Sequence, residues 1–282
     1  MGFHRRSTPP FGQHFLHDLN LLSLIVHSAD LSPGDMVVEV GVGTGKLTRV
    51  ILDTGASVTG VEIDPSVVKA IEEQFGGDPS FRLVQGDILR IPWDELLPQE
   101  GQAVLMGNLP YAASTQVIFR VLQYPERVSR AVFLVQWEVG RRLAAEPGNK
   151  DFGIMSVACQ LYGRPRILRK VAPGVFLPPP RVDSALVRWD VASEPVYPLK
   201  NREFTSQVVK AAFAQRRKKL VNSLASKMKT IDKITLPGVL EGLGLWEGVR
   251  AEQLTVEQFA RLSNRLYDMG IRQNSGIGQN SE

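Results

Sequence analysis

MVVEVGVGTGKLT, residues 36–48, joins a short apolar run to a loop with three glycines and then to a segment with helical periodicity. The run MVVEV has the length and the β-branched content of a buried strand. Glycines directly after such a strand let the backbone turn and approach a ligand with no side chain in between. This order of strand, glycine loop and helix predicts the first ligand-binding turn of an α/β domain.

Two interpretations of these glycines as a phosphate-binding loop fail. A P-loop requires G-x-x-x-x-G-K-[ST], but Val40 stands where the first glycine is needed and Leu47 where the hydroxyl residue is needed. The dinucleotide fingerprint requires G-x-G-x-x-G, but the third glycine here is Gly45, one position too early. The ligand is therefore neither a nucleoside triphosphate held by a P-loop nor a dinucleotide.

The observed spacing is G-x-G-x-G, preceded by Glu39. It resembles the first motif of S-adenosylmethionine-dependent methyltransferases. By that resemblance, Gly41 and Gly43 lie against the methionine and ribose portions of S-adenosylmethionine. This cofactor has no pyrophosphate, so we expect Lys46 to be a surface residue of the following helix.

Composition bounds the class of protein. The 282 residues suffice for one large domain and a smaller one, and 43% hydrophobic with 22% charged residues is typical of globular proteins. The single cysteine, Cys159, lies in an apolar run, which excludes an internal disulfide framework and a zinc cluster and predicts a buried thiol. There is no signal-peptide pattern and no stretch of ~20 apolar residues, so we expect a cytoplasmic protein with no membrane partner.

Strand-like runs alternate with helix-like segments through the first 190 residues. This alternation predicts a Rossmann-like α/β domain with a mostly parallel sheet covered on both faces. Asp64-Pro65-Ser66 predicts the start of the second helix and Gly76-Gly77 its end. The predicted strands are residues 36–40, 57–63, 81–87, 102–108, 130–136 and 184–190.

The composition changes near Val191, and a proline-punctuated linker follows. Beyond it we predict one long helix over 202–228 and further helices over 238–245 and 255–270, the last with a Thr255/Gln258 capping box. The predicted domains are a methyltransferase domain over 1–193 with residues 1–10 flexible, a small all-helical RNA-binding domain over 194–270, and a disordered tail over 271–282.

Two acids follow predicted strands of the first domain. Glu62 ends the second strand and can accept hydrogen bonds from both ribose hydroxyls of a nucleoside. Asp87 ends the third strand and can accept from the adenine amino group of the cofactor. Their order after the glycine loop supports a nucleoside-containing ligand.

The fourth predicted strand ends in GNLPY, residues 107–111, which resembles the motif of methyltransferases that act on exocyclic amino groups of bases. The N6 lone pair of adenine is delocalised into the ring and is a poor nucleophile. The side-chain oxygen of Asn108 and the backbone carbonyl of Leu109 or Pro110 can accept its two N–H groups and turn the lone pair toward the methyl group. Tyr111 would stack on the target base after that base leaves its neighbours.

Nine motifs together are similar to the ribosomal RNA adenine dimethyltransferase family, over a span from about Phe11 to about Leu266. The similarity is greatest to the bacterial branch that dimethylates two adjacent adenines near the 3′ end of small-subunit rRNA, within a pre-ribosomal 30S particle. The motifs are FGQHFL, EVGVGTG, VTGVEID, VQGDIL, GNLPY, VQWEVGRRLAA, VFLPPPRVDSALV, FAQRRKKLVNSL and RAEQLTVEQFARL.

The resemblance implies further roles. His14 and Leu16 would line the cofactor site with Gly41, Glu62, Asp87 and Asn108. The family usually has Asn where this chain has His14, so the contact comes from either the imidazole or the backbone. Phe176 would supply a second aromatic face opposite Tyr111. The family implies S-adenosylmethionine as methyl donor, a role in small-subunit biogenesis and a monomer. The other three histidines show no paired ligand spacing, so we expect no metal.

Basic residues are concentrated between residues 201 and 230, where eight lysines and arginines face only Glu203. A solvated helix face and contact with a polyanion such as RNA are both compatible with this charge. Arg216, Arg217, Lys218 and Lys219 are the candidate RNA-binding residues, although on one helix they could not all share one face. Two other functions remain open: a large-subunit methyltransferase of the erythromycin-resistance type, and a ribosome-assembly factor for which methylation is secondary.

Overall fold

The computed structural model describes residues 13–228 and 231–271. The predictions for residues 1–10, Phe11, Lys229 and the tail from residue 272 lie outside these residues. Within them the chain divides into two compact units. The first runs to Ala144 and resumes over Tyr162–Glu194, whereas the second comprises Ala145–Leu161 and the described residues from Pro195 onward.

All the strands of the described residues lie in the first unit. Seven of them form one sheet in the order β4-β3-β2-β5-β6-β9-β7, and β1 pairs with β8 in a separate two-stranded sheet. Their bounds are β1 Phe15–Leu16, β2 Met36–Val40, β3 Ser57–Glu62, β4 Phe81–Gln85, β5 Ala103–Asn108, β6 Val128–Gln136, β7 Arg166–Val171, β8 Phe176–Leu177 and β9 Ser184–Asp190.

Helices surround the large sheet, and the second unit contains helices and turns. The first unit has α1 Leu19–Ala29, α2 Lys46–Leu52, α3 Pro65–Phe75, α4 Ser114–Val121 and α5 Trp137–Leu143. The second has α6 Ile154–Gln160, α7 Arg202–Phe213, α8 Leu220–Lys227, α9 Leu236–Glu241 and α10 Val256–Asp268. Short 3-10 turns occur at Trp93–Glu95, Pro173–Val175 and Ala251–Gln253.

The predicted fold is confirmed. Strands β4, β3, β2, β5 and β6 run parallel, and only β9, between β6 and β7, is antiparallel to its neighbours. From β2 the chain first adds β3 and β4 on one side and then β5 and β6 on the other. The sheet therefore has a topological switch point between β2 and β5, where α/β proteins bind ligands at the carboxyl ends of the strands.

Strand β7 was missed because its sequence, RILRKV, is basic rather than apolar. It is an edge strand that pairs with β9 on one side, and no strand of the described residues covers its other side. A basic sequence is therefore tolerated in β7. Arg166, Leu168, Arg169 and Lys170 are exposed along it, and the pairing register shifts between Ile167 and Arg169.

Residues 145–161 were predicted to belong to the first domain, but they belong to the second unit. Helix α6 packs against α7 and α10 there, and the ring of Phe152 lies 6.2 Å from that of Phe213. These contacts join positions from about fifty to about a hundred residues apart, which no local pattern reveals. The predicted buried thiol is confirmed, since Cys159 lies buried in α6, where burial raises its pKa.

The single helix predicted over 202–228 is wrong. Helix α7 ends at Phe213 and α8 begins at Leu220, with a turn over 214–219 between them. All six residues of this turn are exposed. Six consecutive exposed residues cover more than one helical turn, so a continuous helix would have no apolar face to pack there.

The helix predicted over 238–245 is observed as α9, which ends earlier, at Glu241, and the remaining helix predictions are confirmed. Asp64 caps α3 by accepting from the Ser66 N–H, and Gly76 is the C-cap that follows its last residue, Phe75. Thr255 and Gln258 form the predicted capping box of α10. Over the described ranges, no helix combines the length and the apolar character needed to cross a membrane.

Candidate active site

A cavity of about 320 Å³ lies at the carboxyl ends of β2, β3 and β5, at the switch point of the sheet. Its walls come from the first unit alone. The structure brings together there ten residues that the sequence predicted to act on cofactor or base: His14, Leu16, Gly41, Gly43, Glu62, Asp87, Asn108, Leu109, Pro110 and Tyr111.

The glycine loop follows β2 and forms one wall of this cavity. Its glycines have positive φ angles: Gly41 79°, Gly43 56° and Gly45 72°. A Cβ on Gly43 would lie 3.1 Å from the ring of Phe15, and a Cβ on Gly45 would lie 2.6 Å from Phe75 and 2.9 Å from Ile71. Glycine at position 45 thus allows both the left-handed backbone and the close packing of the loop on α3. Lys46, directly after the loop, is exposed as predicted.

Glu62 fastens the glycine loop to the end of β3. Its Oε2 accepts from the Gly43 N–H at 3.0 Å, and its Oε1 accepts from the N–H groups of Ile63 and Asp64 and from the amide of Gln13. A carboxylate has about four acceptor positions. Three donors already point at Oε1, so the capacity left for a ribose hydroxyl is at Oε2.

Asp87 lies two residues beyond β4, at the rim of the cavity. Its Oδ1 accepts from the Leu89 N–H at 2.9 Å, and its Oδ2 lies 3.6 Å from Arg90 Nε. About a third of the side chain is exposed. Both oxygens therefore keep acceptor capacity toward a ligand in the cavity.

Asn108 ends β5 and is held by one hydrogen bond. Its Nδ2 donates to the main-chain carbonyl of His14 at 2.7 Å, and this bond orients the amide. Its Oδ1 is buried and has no partner among the described residues. The carbonyl of Pro110 accepts from the N–H groups of residues 113 and 114. The Leu109 carbonyl accepts no hydrogen bond from any described residue. Of the two predicted carbonyls, it is therefore the one that is free to accept from a substrate.

Tyr111 and His14 form a pair of rings at the cavity wall, with centroids 5.4 Å apart. The Tyr111 hydroxyl is hydrogen-bonded to the buried Ser184 hydroxyl at 2.9 Å, and burial raises the pKa of Tyr111. The His14 Nδ1 lies 2.7 Å from the carbonyl of Pro178, so it carries the proton and donates. In this structure the backbone carbonyl of His14 accepts from the Asn108 side chain, and its imidazole packs beside Tyr111.

The structure does not place Phe176 where the sequence predicted. Its side chain is only 2% exposed and belongs to the hydrophobic core, and it does not line the cavity. Phe176 pairs with Leu16 between β8 and β1, and because strand side chains alternate, Leu177 points outward and is 66% exposed. The ring beside Tyr111 in this structure is that of His14.

Comparison with known proteins identifies the family. The profile of the family described as "Ribosomal RNA adenine dimethylase" matches residues 5–268. The chain belongs to this family. A curated relative from Halothermothrix orenii is 40% identical over 262 residues, 91% of this chain and 87% of its own length. One from Pseudomonas fluorescens is 37% identical over 266 residues, 94% of this chain and 96% of its own. Both are named "Ribosomal RNA small subunit methyltransferase A".

Solved structures agree with this assignment. The crystal structure of the 23S rRNA methyltransferase ErmE has a TM-score of 0.71 and 26% identity, covering 90% of this chain and 99% of its own. A dimethyladenosine transferase from Plasmodium falciparum has a TM-score of 0.79 at 22% identity, covering 92% and 99%, and so shares the fold. The dimethylase is an enzyme that uses S-adenosylmethionine, as predicted.

One cavity residue of the dimethylase was noted in the sequence but given no role. Glu39 is fully buried in β2, where its Oε2 accepts from the Thr48 hydroxyl at 2.7 Å and its Oε1 has no partner among the described residues. Burial raises its pKa to about 8, the Thr48 hydrogen bond lowers it, and the charge of Glu62 raises it further. The sequence feature that could have predicted a role for Glu39 is the presence of an acid inside the apolar run MVVEV.

These residues fit the methyl donor. The glycine loop lets a ligand approach the backbone, Glu62 Oε2 and Asp87 can accept from a nucleoside, and Glu39 Oε1 is a buried polar atom that lacks a partner. A buried unpaired polar atom at a cavity wall marks a place where a ligand completes the hydrogen bonding. In the described part of the chain, no group of three or more metal-ligating side chains occurs.

The four predicted RNA-binding residues lie in the second unit, in the turn over 214–219, which we call the basic turn. They differ in their contacts. Arg216 donates to the carbonyls of Lys150 and Phe152 at 2.8 Å each and lies 3.4 Å from Glu252. Arg216 is therefore fastened within the second unit.

Lys219 forms an ion pair with Glu247 at 3.3 Å. The side chains of Arg217 and Lys218 have no hydrogen bond or ion pair to any described residue, and both are exposed. Of the four predicted cations, these two are the ones whose charges are unpaired within the described residues. They are available to a ligand without breaking an existing contact.

Proposed function

We propose that the protein transfers two methyl groups from S-adenosylmethionine to N6 of each of two adjacent adenines near the 3′ end of small-subunit rRNA. The curated relatives support the choice of the small subunit, because those compared above carry that name and align over most of this chain. The substrate would be a pre-ribosomal 30S particle in the cytoplasm, bound by a monomer that needs no metal.

One observation carries the chemical part of the proposal. Asn108 Oδ1 is buried, lacks a partner, and cannot rotate away without breaking the 2.7 Å bond from Nδ2 to the His14 carbonyl. It is a preorganised acceptor for one N–H of an exocyclic amine. The neighbouring Leu109 carbonyl is the acceptor we assign to the second N–H.

The residues around the base would then act by orientation. Two acceptors on the amine favour a pyramidal nitrogen whose lone pair points away from both, toward the methyl group that S-adenosylmethionine supplies when bound. Tyr111, fixed by Ser184 and flanked by His14, would stack on the extruded adenine. The amine gains acidity only as the methyl group arrives, so no strong base is required.

We assign the cofactor to the opposite part of the cavity. Gly41, Gly43 and Leu16 would contact its methionine and ribose portions, Glu62 Oε2 a ribose hydroxyl, and Asp87 the adenine amino group. We assign the methyltransferase role to the first unit and rRNA binding to the second, in which the 194–270 domain predicted from sequence is joined by residues 145–161.

Asn108→Ala tests the mechanism. We expect loss of methylation of unmethylated 30S particles with the fold left intact, because the change removes an acceptor for the amine. Wild-type methylation rates in this variant would contradict the mechanism.

Digestion of the wild-type product and location of dimethyladenosine would separate the small-subunit substrate from a large-subunit one. If Asn108→Ala still binds immature subunits, an assembly role accompanies catalysis.

A further inference from the structure

The second unit exposes a tryptophan. Trp246 is 67% exposed, whereas Trp93 and Trp189 are buried and Trp137 is half-buried. An indole ring usually contributes a large buried area, so one left in solvent is an informative exception. Trp246 lies between α9 and α10 and has no role in the site described above.

The loop that carries Trp246 is fixed by main-chain hydrogen bonds. The Val249 N–H donates to the Trp246 carbonyl at 3.1 Å, and the Leu245 N–H donates to the Leu240 carbonyl at 2.9 Å. A Cβ on Gly248 would lie 1.8 to 2.5 Å from atoms of the indole ring. The ring therefore rests directly on the Gly248 backbone, in a position that no other residue at 248 would permit unchanged.

This loop adjoins the basic turn. The Leu220 N–H, at the end of the basic turn, donates to the Val249 carbonyl at 2.8 Å, and Lys219 pairs with Glu247 at 3.3 Å. The ion pair neutralises the carboxylate next to Trp246. Two unpaired cations, Arg217 and Lys218, lie in the same turn. An exposed aromatic ring beside cations is how proteins bind single-stranded nucleic acid, with bases stacked on the ring and phosphates near the charges.

We infer that Trp246 is a stacking platform for an unpaired RNA base, and that the basic turn contacts the phosphates of the same strand. This inference rests on the proposed function, since it takes rRNA as the substrate. Charge complementarity favours RNA over a protein partner here. The platform lies in the second unit, so it is separate from the pocket that would receive the target adenine.

Trp246→Ala is the first test, with an unmethylated 3′-terminal segment of small-subunit rRNA as the probe. We expect the Kd to rise between about fivefold and about a hundredfold, the range of base–aromatic stacking. The slope of log Kd against log salt should stay unchanged, because no phosphate contact is lost. Trp246→Phe should lose less affinity, since a smaller ring still stacks.

Two more variants separate ring position from general damage. Gly248→Ala keeps the indole in the chain, but the new Cβ displaces the ring from its position on the residue 248 backbone. RNA affinity should therefore fall, as in Trp246→Ala. Ile234→Ala removes another exposed apolar side chain of the second unit, 84% exposed, and should leave the Kd unchanged.

The results that would overturn the inference are distinct from those against the proposed function. An unchanged Kd in Trp246→Ala overturns it, and so does a salt slope that falls with the affinity. Unchanged RNA affinity with weaker binding to whole 30S particles would instead place a protein partner on this ring, and also overturns it. The proposed function is judged on the wild type alone, by whether it dimethylates small-subunit rRNA.

Discussion

Glu39 is a fully buried acid of the first unit, and its Oε1 has no partner among the described residues. A buried polar atom left without a partner costs about 1–3 kcal/mol, and a buried carboxylate costs more. The structure shows the response to this cost, since burial raises the pKa of Glu39 to about 8 from the ordinary 4.5 and the group holds its proton at neutral pH. The position of this acid on the cavity wall gives the first unit a stability that depends on pH.

The sign of that dependence follows from proton binding. Between pH 4.5 and 8 the folded state holds a proton on Glu39 that the unfolded chain has released, so the free energy of unfolding falls as pH rises, by at most about 1.4 kcal/mol per pH unit from this group. Glu39→Gln resembles the protonated acid and removes this loss. From pH 5.5 to pH 8, the stability of Glu39→Gln relative to wild type should therefore increase by a few kcal/mol in urea denaturation.

Thr48→Val provides the control for this prediction. It removes the hydrogen bond that lowers the pKa of Glu39. The decline of stability with rising pH that we expect for the wild type should therefore persist in Thr48→Val, and it should begin at no higher pH. Parallel stability profiles for the wild type and Glu39→Gln across this range would contradict the assignment of the raised pKa.

At the residue scale, the sequence predicted those parts of the site that depend on the local chain. Gly41 and Gly43 lie in the loop after β2 and Asn108 ends β5, so strand ends and loop glycines were enough to bring them together. Phe176 could not be predicted this way, because its direction is set by the pairing of β8 with β1, about 160 residues earlier. The role of the His14 backbone likewise depends on a contact across 94 positions.

At the scale of elements, the junction of β2 and α2 depends on Gly45. We expect Gly45→Ala to destabilise the first unit by about 1–3 kcal/mol or more, because the new Cβ meets Phe75 and Ile71 within 3 Å and the φ of 72° disfavours any L side chain. Urea denaturation measures this. Gly77→Ala is the matched control, since nothing lies within 4 Å of its Cβ position. Equal stabilities of the two variants would contradict the packing argument.

The break between α7 and α8 shows why an element boundary escaped the sequence. Apolar periodicity continues on both sides of it, and no proline or glycine marks it. The Ser223 hydroxyl accepts from the Gln215 N–H and donates to the Ala211 carbonyl, and the Val249 carbonyl takes the Leu220 N–H. These partners replace the helical hydrogen bonds of the turn, and they come from tertiary structure.

At the scale of the whole molecule, RNA binding should depend on salt through few charges of the basic turn. Replacing Arg217 and Lys218 together by alanine should lower the magnitude of the slope of log affinity against log salt by about 1–2, at roughly 0.7–0.9 per phosphate contact. Filter binding of small-subunit rRNA over a range of roughly 50 to 200 mM salt measures this slope.

A charge-matched control separates local contact from net charge. Lys69→Ala with Lys233→Ala removes two exposed cations outside the basic turn and should leave the slope nearly unchanged. Arg216→Ala should instead destabilise the second unit, because its guanidinium bonds the carbonyls of Lys150 and Phe152. A slope change shared equally by both double variants would show that only overall charge matters.

The basic edge strand β7 has a consequence for how copies of the chain meet. An open strand edge is a template on which a second sheet can grow, and this growth leads to aggregation. A second copy that aligned its own β7 there would bring Arg166, Arg169 and Lys170 against their counterparts, and the register shift after Ile167 would interrupt the ladder. Crowded molecules of this protein thus repel one another along the β7 edge of the large sheet, where two backbones could otherwise join.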